Sequence, residues 1–205
     1  MDNLDIYKII DKCSEGRWKR AKHLDKIIEL LVNLESRKIR FAMVNMPPRH
    51  GKSQLISIYF PIWYILKNPK HKIIITSYNS SFSSLFGTEI LDILENNDFG
   101  IKLSKRNKSK NYIKLDETSG SLSFVGAGAS LTGKGADLLI IDDPFKNNPE
   151  AESFVIQEPI WNWFLTTAYT RLEKNGVLII VMTRWHKEDL CGKIIKKFDM
   201  NLKSL

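Results

Sequence analysis

Val44-Asn45-Met46-Pro47-Pro48-Arg49-His50-Gly51-Lys52-Ser53 is the stretch from which the rest of the chain is read. An apolar run, Phe41 to Val44, leads into it, and a helix-compatible segment from Gln54 to Leu66 leads out. Gly-Lys-Ser between a strand and a helix is the core of a phosphate-binding P-loop. In such a loop consecutive backbone N–H groups and the open helix N-terminus cradle phosphate, the lysine neutralises it, and the serine hydroxyl reaches magnesium. The pattern departs from the common one at its start, because Met46 stands where the first glycine is usually found, five residues before Gly51. Taken alone, the triplet also fits an ordinary turn.

Asp137-Leu138-Leu139-Ile140-Ile141-Asp142-Asp143-Pro144 weakens the ordinary-turn reading. An apolar run that ends in two carboxylates reads as a buried parallel strand with an acidic C-terminal end. Ligand sites of open parallel sheets lie at that end of the strands. Adjacent carboxylates in partly buried surroundings are costly unless a cation or hydrogen bonds compensate them. Magnesium on a nucleotide is such a cation. Asp142 then belongs to the metal's outer shell, while Asp143 orients and deprotonates a water. A capping Asp pair before Pro144 is the alternative for these residues alone.

Composition bounds the remaining options. At 205 residues the chain suits one domain, and 43% hydrophobic with 26% charged residues is ordinary for a globular protein. The longest strongly apolar run, Val177 to Met182, is far short of the roughly 20 residues of a membrane helix. Met1-Asp2-Asn3-Leu4-Asp5 lacks the basic and apolar regions of a secretion signal, and Cys13 and Cys191 have no metal-ligand spacing. These features read as an intracellular protein with no membrane partner. The net charge of +8 favours a polyanionic partner. Lys102, Lys105, Arg106, Lys108, Lys110 and Lys114 form one acid-free basic cluster; Arg17, Lys19, Arg20 and Lys22 around Trp18 form a second. Each fits either nucleic-acid phosphate or a solvated loop.

Along the chain, residues 1–38 read as two helices, with Leu24, Ile27, Ile28, Leu31 and Leu34 at helical spacing. Strands are expected at Phe41–Asn45, Ile73–Ser77, Ser121–Val125, Asp137–Asp142 and Val177–Met182, with a short one at Tyr112–Leu115 in an otherwise irregular 97–120 segment. Helices are expected after the P-loop, where Pro61 should bend or end the helix, and over about 80–94, 150–172 and 187–197. The Gly126–Gly135 loop reads as a connector or a DNA-facing loop, and the aromatics Trp161, Trp163, Phe164 and Tyr169 as core. Alternating strands and helices give an α/β class with a mainly parallel sheet sandwiched by helices. The further strand and helix between the P-loop strand and the acidic strand read as a P-loop NTPase of the RecA-like branch.

With these residues in hand, the chain resembles the large terminase subunits of tailed bacteriophages and prophages, in their N-terminal ATPase half. The likeness rests on Pro47–Ser53, on Ser77-Tyr78, on Leu131-Thr132-Gly133-Lys134-Gly135-Ala136-Asp137, and on Asp142-Asp143-Pro144. It continues through Trp161-Asn162-Trp163-Phe164 and Thr183-Arg184-Trp185-His186 with Asp189-Leu190. The resemblance implies an ATP- and magnesium-dependent motor that threads double-stranded DNA into a procapsid. It also implies a phage portal and a small terminase subunit as partners, and a ring on the portal in the host cytoplasm. On this reading 1–205 is the ATPase domain, with 1–38 as a helical extension, and the chain alone is a monomer in solution. Asp143 stands where many relatives carry glutamate. The sequence stops at Leu205, before the further strand, lid and nuclease of relatives, so nuclease activity is not expected and the chain reads as an excised piece or a truncated prophage product.

Roles follow from phosphoryl-transfer chemistry, in which positioning and charge neutralisation do most of the catalysis. Pro48, Arg49, His50, Gly51, Lys52 and Ser53 form the nucleotide loop. Ser53 and Asp142 hold magnesium, and Asp143 is the base. Arg49 is a finger in cis or a surface arginine. Thr183 is the sensor that couples hydrolysis to motion, and Arg184 assists it or pairs with an acid. His23 or Trp18 lies near adenine, with packing the simpler role for Trp18. The rivals are another RecA-like helicase or translocase and a degenerate fragment that binds without turnover.

Overall fold

The structure, a computed structural model, describes residues 4–131 and 133–198, so Thr132 of the Gly-rich motif and the terminal Asn201–Leu205 lie outside the described residues. Two amphipathic helices come first, α1 (Ile6–Cys13) and α2 (Lys22–Glu35). Asp5 caps α1 by accepting the Tyr7 N–H at 2.8 Å. Next come β1 (Phe41–Asn45), a π-helical segment over Gln54–Tyr59, α3 (Phe60–Lys67), β2 (Lys72–Ser77) and α4 (Ser80–Asn96). After these run β3 (Leu103–Ser109), β4 (Tyr112–Leu115), β5 (Ser121–Gly126) and β6 (Ala136–Asp142). The chain continues through α5 (Asn148–Glu152), α6 (Phe154–Trp163), β7 (Leu172–Met182) and α7 (Leu190–Phe198). No helix among the described residues is long and apolar enough to cross a membrane.

The seven strands form one sheet in the order β1-β7-β6-β2-β5-β4-β3. The first five are mutually parallel, and β4 and β3 are antiparallel additions. Period-two alternation divides the interior between the two faces. Ile73, Ile75, Leu138, Ile140, Val177 and Ile179 point into a core shared with α1 to α4. Their neighbours Ile74, Leu139, Ile141, Leu178 and Ile180 point into a second core under α6 and α7. Side chains on both faces of a parallel sheet are buried, which is why these strands read as unbroken apolar runs. Register then fixes the site: Asn45 lies opposite Met182 and Asp142 opposite Val181, so β1, β7 and β6 end side by side.

Four expectations need correction. Of the bend or end expected at Pro61, the end does not occur, and the helix that follows the P-loop continues. The backbone widens there instead, and the Phe60 N–H donates to the Leu55 carbonyl, five residues back. Pro61 then sits in the first turn of α3, where a missing N–H costs little. The 97–120 segment is not irregular, because residues 103–109 form the edge strand β3. Its exposed positions on both faces hide the alternation that marks a strand, and lysines on an edge also discourage pairing with other chains. The 150–172 helix is divided at extended Ser153 into α5 and α6, and passes through a π turn at Phe164–Ala168 into a 3-10 turn at Tyr169–Arg171. Strand β7 begins five residues earlier than expected because Glu173–Asn175 in its first half are polar and solvent-facing.

The Gly126–Gly135 loop is pinned within its described part. Leu131 is fully buried, and the Trp163 indole N–H donates to the Ala129 carbonyl at 2.8 Å. Gly87 marks the tightest contact of α4 with the sheet, since a Cβ there would lie 1.9 Å from the Lys110 carbonyl oxygen and 2.8 Å from Phe124. Gly87→Ala is therefore expected to destabilise the protein by about 1–3 kcal/mol, the usual cost of overpacking. Exposed Asp92→Ala on the same helix should stay within about 0.5 kcal/mol. Urea unfolding of the two variants checks this.

Candidate nucleotide-binding site

The P-loop is built from what β1 and the next helix leave open. Met46 continues the ladder beyond β1, donating its N–H to the Met182 carbonyl at 3.3 Å. Its backbone is not left-handed there, so a side chain is tolerated where relatives of this pattern carry glycine. The chain then turns through Arg49, at φ 64°, and Gly51, at φ 79°. The second of these is a conformation glycine adopts freely. Pro48, Arg49 and His50 are exposed at the tip, and His50 Nδ1 lies 2.8 Å from the Pro48 carbonyl oxygen. Arg49 has no hydrogen-bond or ion-pair partner among the described residues.

Lys52 points inward instead. It is only 5% exposed, and its ammonium is paired with Asp143 Oδ2. A buried ammonium left unpaired would be costly, so this contact holds the loop closed on the end of β6. Asp143 is gripped on every side. Its N–H donates to the Val181 carbonyl at 2.9 Å, and its carbonyl accepts the Tyr78 N–H at 3.2 Å. Its Oδ1 accepts the Thr183 N–H at 2.8 Å. The backbone at Asp143 is left-handed, φ 42°, a conformation that costs a non-glycine residue energy unless its surroundings enforce it.

Asp142, the last residue of β6, is almost completely buried. Ser53 Oγ donates to its Oδ1 at 3.1 Å and Ser57 Oγ to its Oδ2 at 2.5 Å. Burial first, and the neighbouring Asp143 charge second, push its pKa up to about 6, against the pull of the two serines and Lys52. Two oxygens of a buried carboxylate, each satisfied only by a neutral hydroxyl, form a hard-oxygen donor set suited to a divalent cation. Ser57 is missed by motif reading. Its position four residues after Ser53, on the same helix face, is the signal that could have found it.

Thr183 follows β7, and its hydroxyl donates to the Met46 carbonyl at 3.3 Å, so it touches the P-loop and Asp143 at once. Of the two roles open to Arg184, pairing with an acid is the observed one: its Nε donates to Asp189 at 3.0 Å. Trp18 packs edge-on against Tyr59 at 5.6 Å, and His23 Nε2 lies 3.4 Å from the His50 carbonyl oxygen. A cleft of about 640 Å³, lined by Arg17, Trp18, Lys19, Gln54, Tyr59 and Glu89 among others, opens beside the first turn of the helix. The second basic cluster is partly spent on internal pairs, Arg17 with Glu15 and Arg20 with Asp25. In the first cluster Lys102 pairs with Glu117 and Lys108 with Glu95, leaving Lys105, Arg106, Lys110 and Lys114 without ion pairs among the described residues.

Comparison with known proteins gives the family and the fold. The family model described as "Terminase large subunit, T4likevirus-type, N-terminal" matches residues 43–201. Curated proteins gave no match. Among solved structures, the HK97 bacteriophage large terminase superposes with a TM-score of 0.65 at 16% identity, over 94% of this chain and 40% of that one. The ATPase domain of the Thermus phage P74-26 large terminase superposes with a TM-score of 0.53 at 11% identity, over 81% of this chain and 70% of that one. At such identities the likeness speaks for the fold, and the chain spans about 40% of the length of the HK97 protein. The family match runs over most of the sequence, from within β1 through α7, and on that ground the chain belongs to the terminase large-subunit family, in its N-terminal part.

Proposed function

We propose that this chain is the ATP-hydrolysing part of a phage DNA-packaging motor, with residues 1–38 as its helical extension. The observation that carries the reading is the meeting of Lys52, Ser53, Asp142, Asp143 and Thr183 at the adjoining ends of β1, β6 and β7. Such a grouping suits one nucleotide phosphate chain with its metal. Double-stranded DNA is the substrate that is moved. A portal and a small terminase subunit are the partners, and the ring forms on the portal from monomers.

The chain's own residues divide the work. The amides of His50 to Ser53 and the Lys52 ammonium bind phosphate, and Lys52 must leave Asp143 to do so. Ser53 and Asp142 hold magnesium, which when bound neutralises phosphate charge. Asp143, still oriented by the Thr183 N–H, accepts the proton of the attacking water. The hydroxyl of Thr183 on the Met46 carbonyl reports the state of the loop to β7 and α7. Arg49, unpartnered at the loop tip, is free to stabilise the transferring phosphoryl group. We assign the adenine to the cleft lined by Trp18, where Tyr59 fixes the indole by packing, with His23 beside the loop at the His50 carbonyl.

Lys52→Ala should lower ATP affinity at least about tenfold, which is about 1.4 kcal/mol, by calorimetry. Asp143→Asn should keep binding and lose about 10²-fold or more in turnover, because an amide cannot take the proton. Parent-like affinity in the first variant, or a parent-like rate in the second, would remove these residues from the roles given.

Asp142 yields a pH test. Its folded pKa of about 6 exceeds the ordinary 3.8, so folding takes up a proton between those values. Its contribution to the stability of the nucleotide-free protein is therefore full below 3.8 and is lost as pH rises through about 6. Asp142→Asn should remove that slope and also abolish the magnesium-dependent part of stabilisation by ADP. Thermal unfolding across the window, with and without magnesium and ADP, measures both. For DNA, the unpaired lysines of β3 and β4 supply charge without base-reading geometry. Binding to unrelated duplexes should thus be equal and fall steeply with salt, and Lys105→Ala with Arg106→Ala should flatten the log–log salt slope by about two. Sequence preference, or an unchanged slope, would move the DNA contact elsewhere.

A further inference from the structure

The turn between β7 and α7 is organised by one carboxylate that motif chemistry leaves without a role. Asp189 is fully buried. Its Oδ1 accepts the Gly192 N–H at 3.0 Å, the contact of a helix-capping residue with the third residue of its helix. Its Oδ2 accepts Arg184 Nε at 3.0 Å, the Trp185 N–H at 3.3 Å and the His186 N–H at 3.4 Å. Capping α7 needs only the first oxygen, and a serine would cap nearly as well. The second oxygen gathers donors from the three residues that directly follow Thr183. Burying a carboxylate is expensive unless it is fully satisfied, so the charge is explained by the turn rather than by the helix.

That turn has little slack. A Cβ on Gly192 would fall 1.9 Å from the Lys187 carbonyl oxygen and 3.2 Å from Arg184 Nη2, so residues 184–187 lie directly on the first turn of α7. With the segment after it anchored to Asp189 and the segment before it locked in β7, the backbone of Thr183 is fixed from both ends. Its N–H meets Asp143 Oδ1 at 2.8 Å, and Oδ2 of the same carboxylate faces Lys52. We propose that Asp189 is a positioning residue for hydrolysis: by holding the 184–186 turn it fixes the Thr183 N–H on Asp143, and so sets the direction in which the other Asp143 oxygen points. The proposal rests on Asp143 being the base.

Asp189→Ser tests it, because serine keeps the cap of α7 and removes the contacts of the second oxygen. The expected result is a folded protein whose kcat for ATP falls at least about tenfold while KM stays within about twofold. Amide hydrogen exchange at Thr183 should quicken at least about tenfold, with protection within β7 and α7 retained. Asp189→Thr, which caps in the same way and likewise lacks the second carboxylate oxygen, should reproduce both effects and serves if the serine variant does not fold. Unchanged exchange at Thr183 overturns the proposal whatever the activity, and so does a parallel loss of kcat, affinity and stability. A parent protein that does not hydrolyse ATP would count against the proposed function, while the exchange measurement would still decide the role of Asp189.

Discussion

The pairing of buried Lys52 with half-buried Asp143 is the contact on which the site depends. It joins the loop after β1 to the end of β6, two strands that are not neighbours, and spans β7 between them. A buried ion pair adds little net stability compared with apolar packing, yet removing one partner is expensive. Its value here lies in preorganisation. On the function proposed above, the ammonium that would meet phosphate and the carboxylate that would meet water neutralise each other in the nucleotide-free protein. On that reading phosphate would compete with a single carboxylate for Lys52, and the exchange would free one Asp143 oxygen while the Thr183 N–H retains the other.

Around that pair the two faces of the sheet have different duties. On the side of α1 to α4, the cores of the helices and the strands hold the phosphate loop, with Ser53 and Ser57 reaching the two oxygens of Asp142. On the side of α6 and α7, the second core holds the turn that carries Thr183 to Asp189. Asp142 and Asp143 are consecutive, yet they serve different partners: Asp142, the last residue of β6, meets Ser53 and Ser57, while Asp143 lies beyond the strand and meets Lys52. Left-handed backbone at Asp143 swings the second carboxylate toward the loop and ends the strand in the same step.

The central sheet was legible because burial on both faces leaves only apolar residues to choose from, and because Gly51-Lys52-Ser53 and Asp142-Asp143 mark the strand ends. What escaped reading lacks such a constraint. Strand β3 has no buried face to impose alternation, and the division of 148–171 depends on a backbone break at Ser153 that no glycine or proline announces. In the site, Lys52, Ser53, Asp142, Asp143 and Thr183 were named from their types and spacing. Their mutual contacts were not, since Lys52 reaching Asp143 rather than solvent follows from the sheet order. Ser57 and Asp189 act through hydrogen bonds whose partners lie far away in sequence or across a turn, and neither residue type is distinctive by itself.

The widened turn over Gln54–Tyr59 is an α-helix that accommodates one residue too many. A regular helix would bring the Pro61 ring against the Ser57 carbonyl, a clash the wider turn relieves. The helix is thus unable to relax to uniform winding while Pro61 is in place. Proline acts here as a wedge, and what it protects lies a full turn upstream. The angular offset between the P-loop end of the helix and the end buried in the core follows from the wedge, and with it the facing of Ser57 toward Asp142. A residue with no chemistry of its own, placed where it touches no ligand, therefore governs the phase in which the helix presents its hydroxyls.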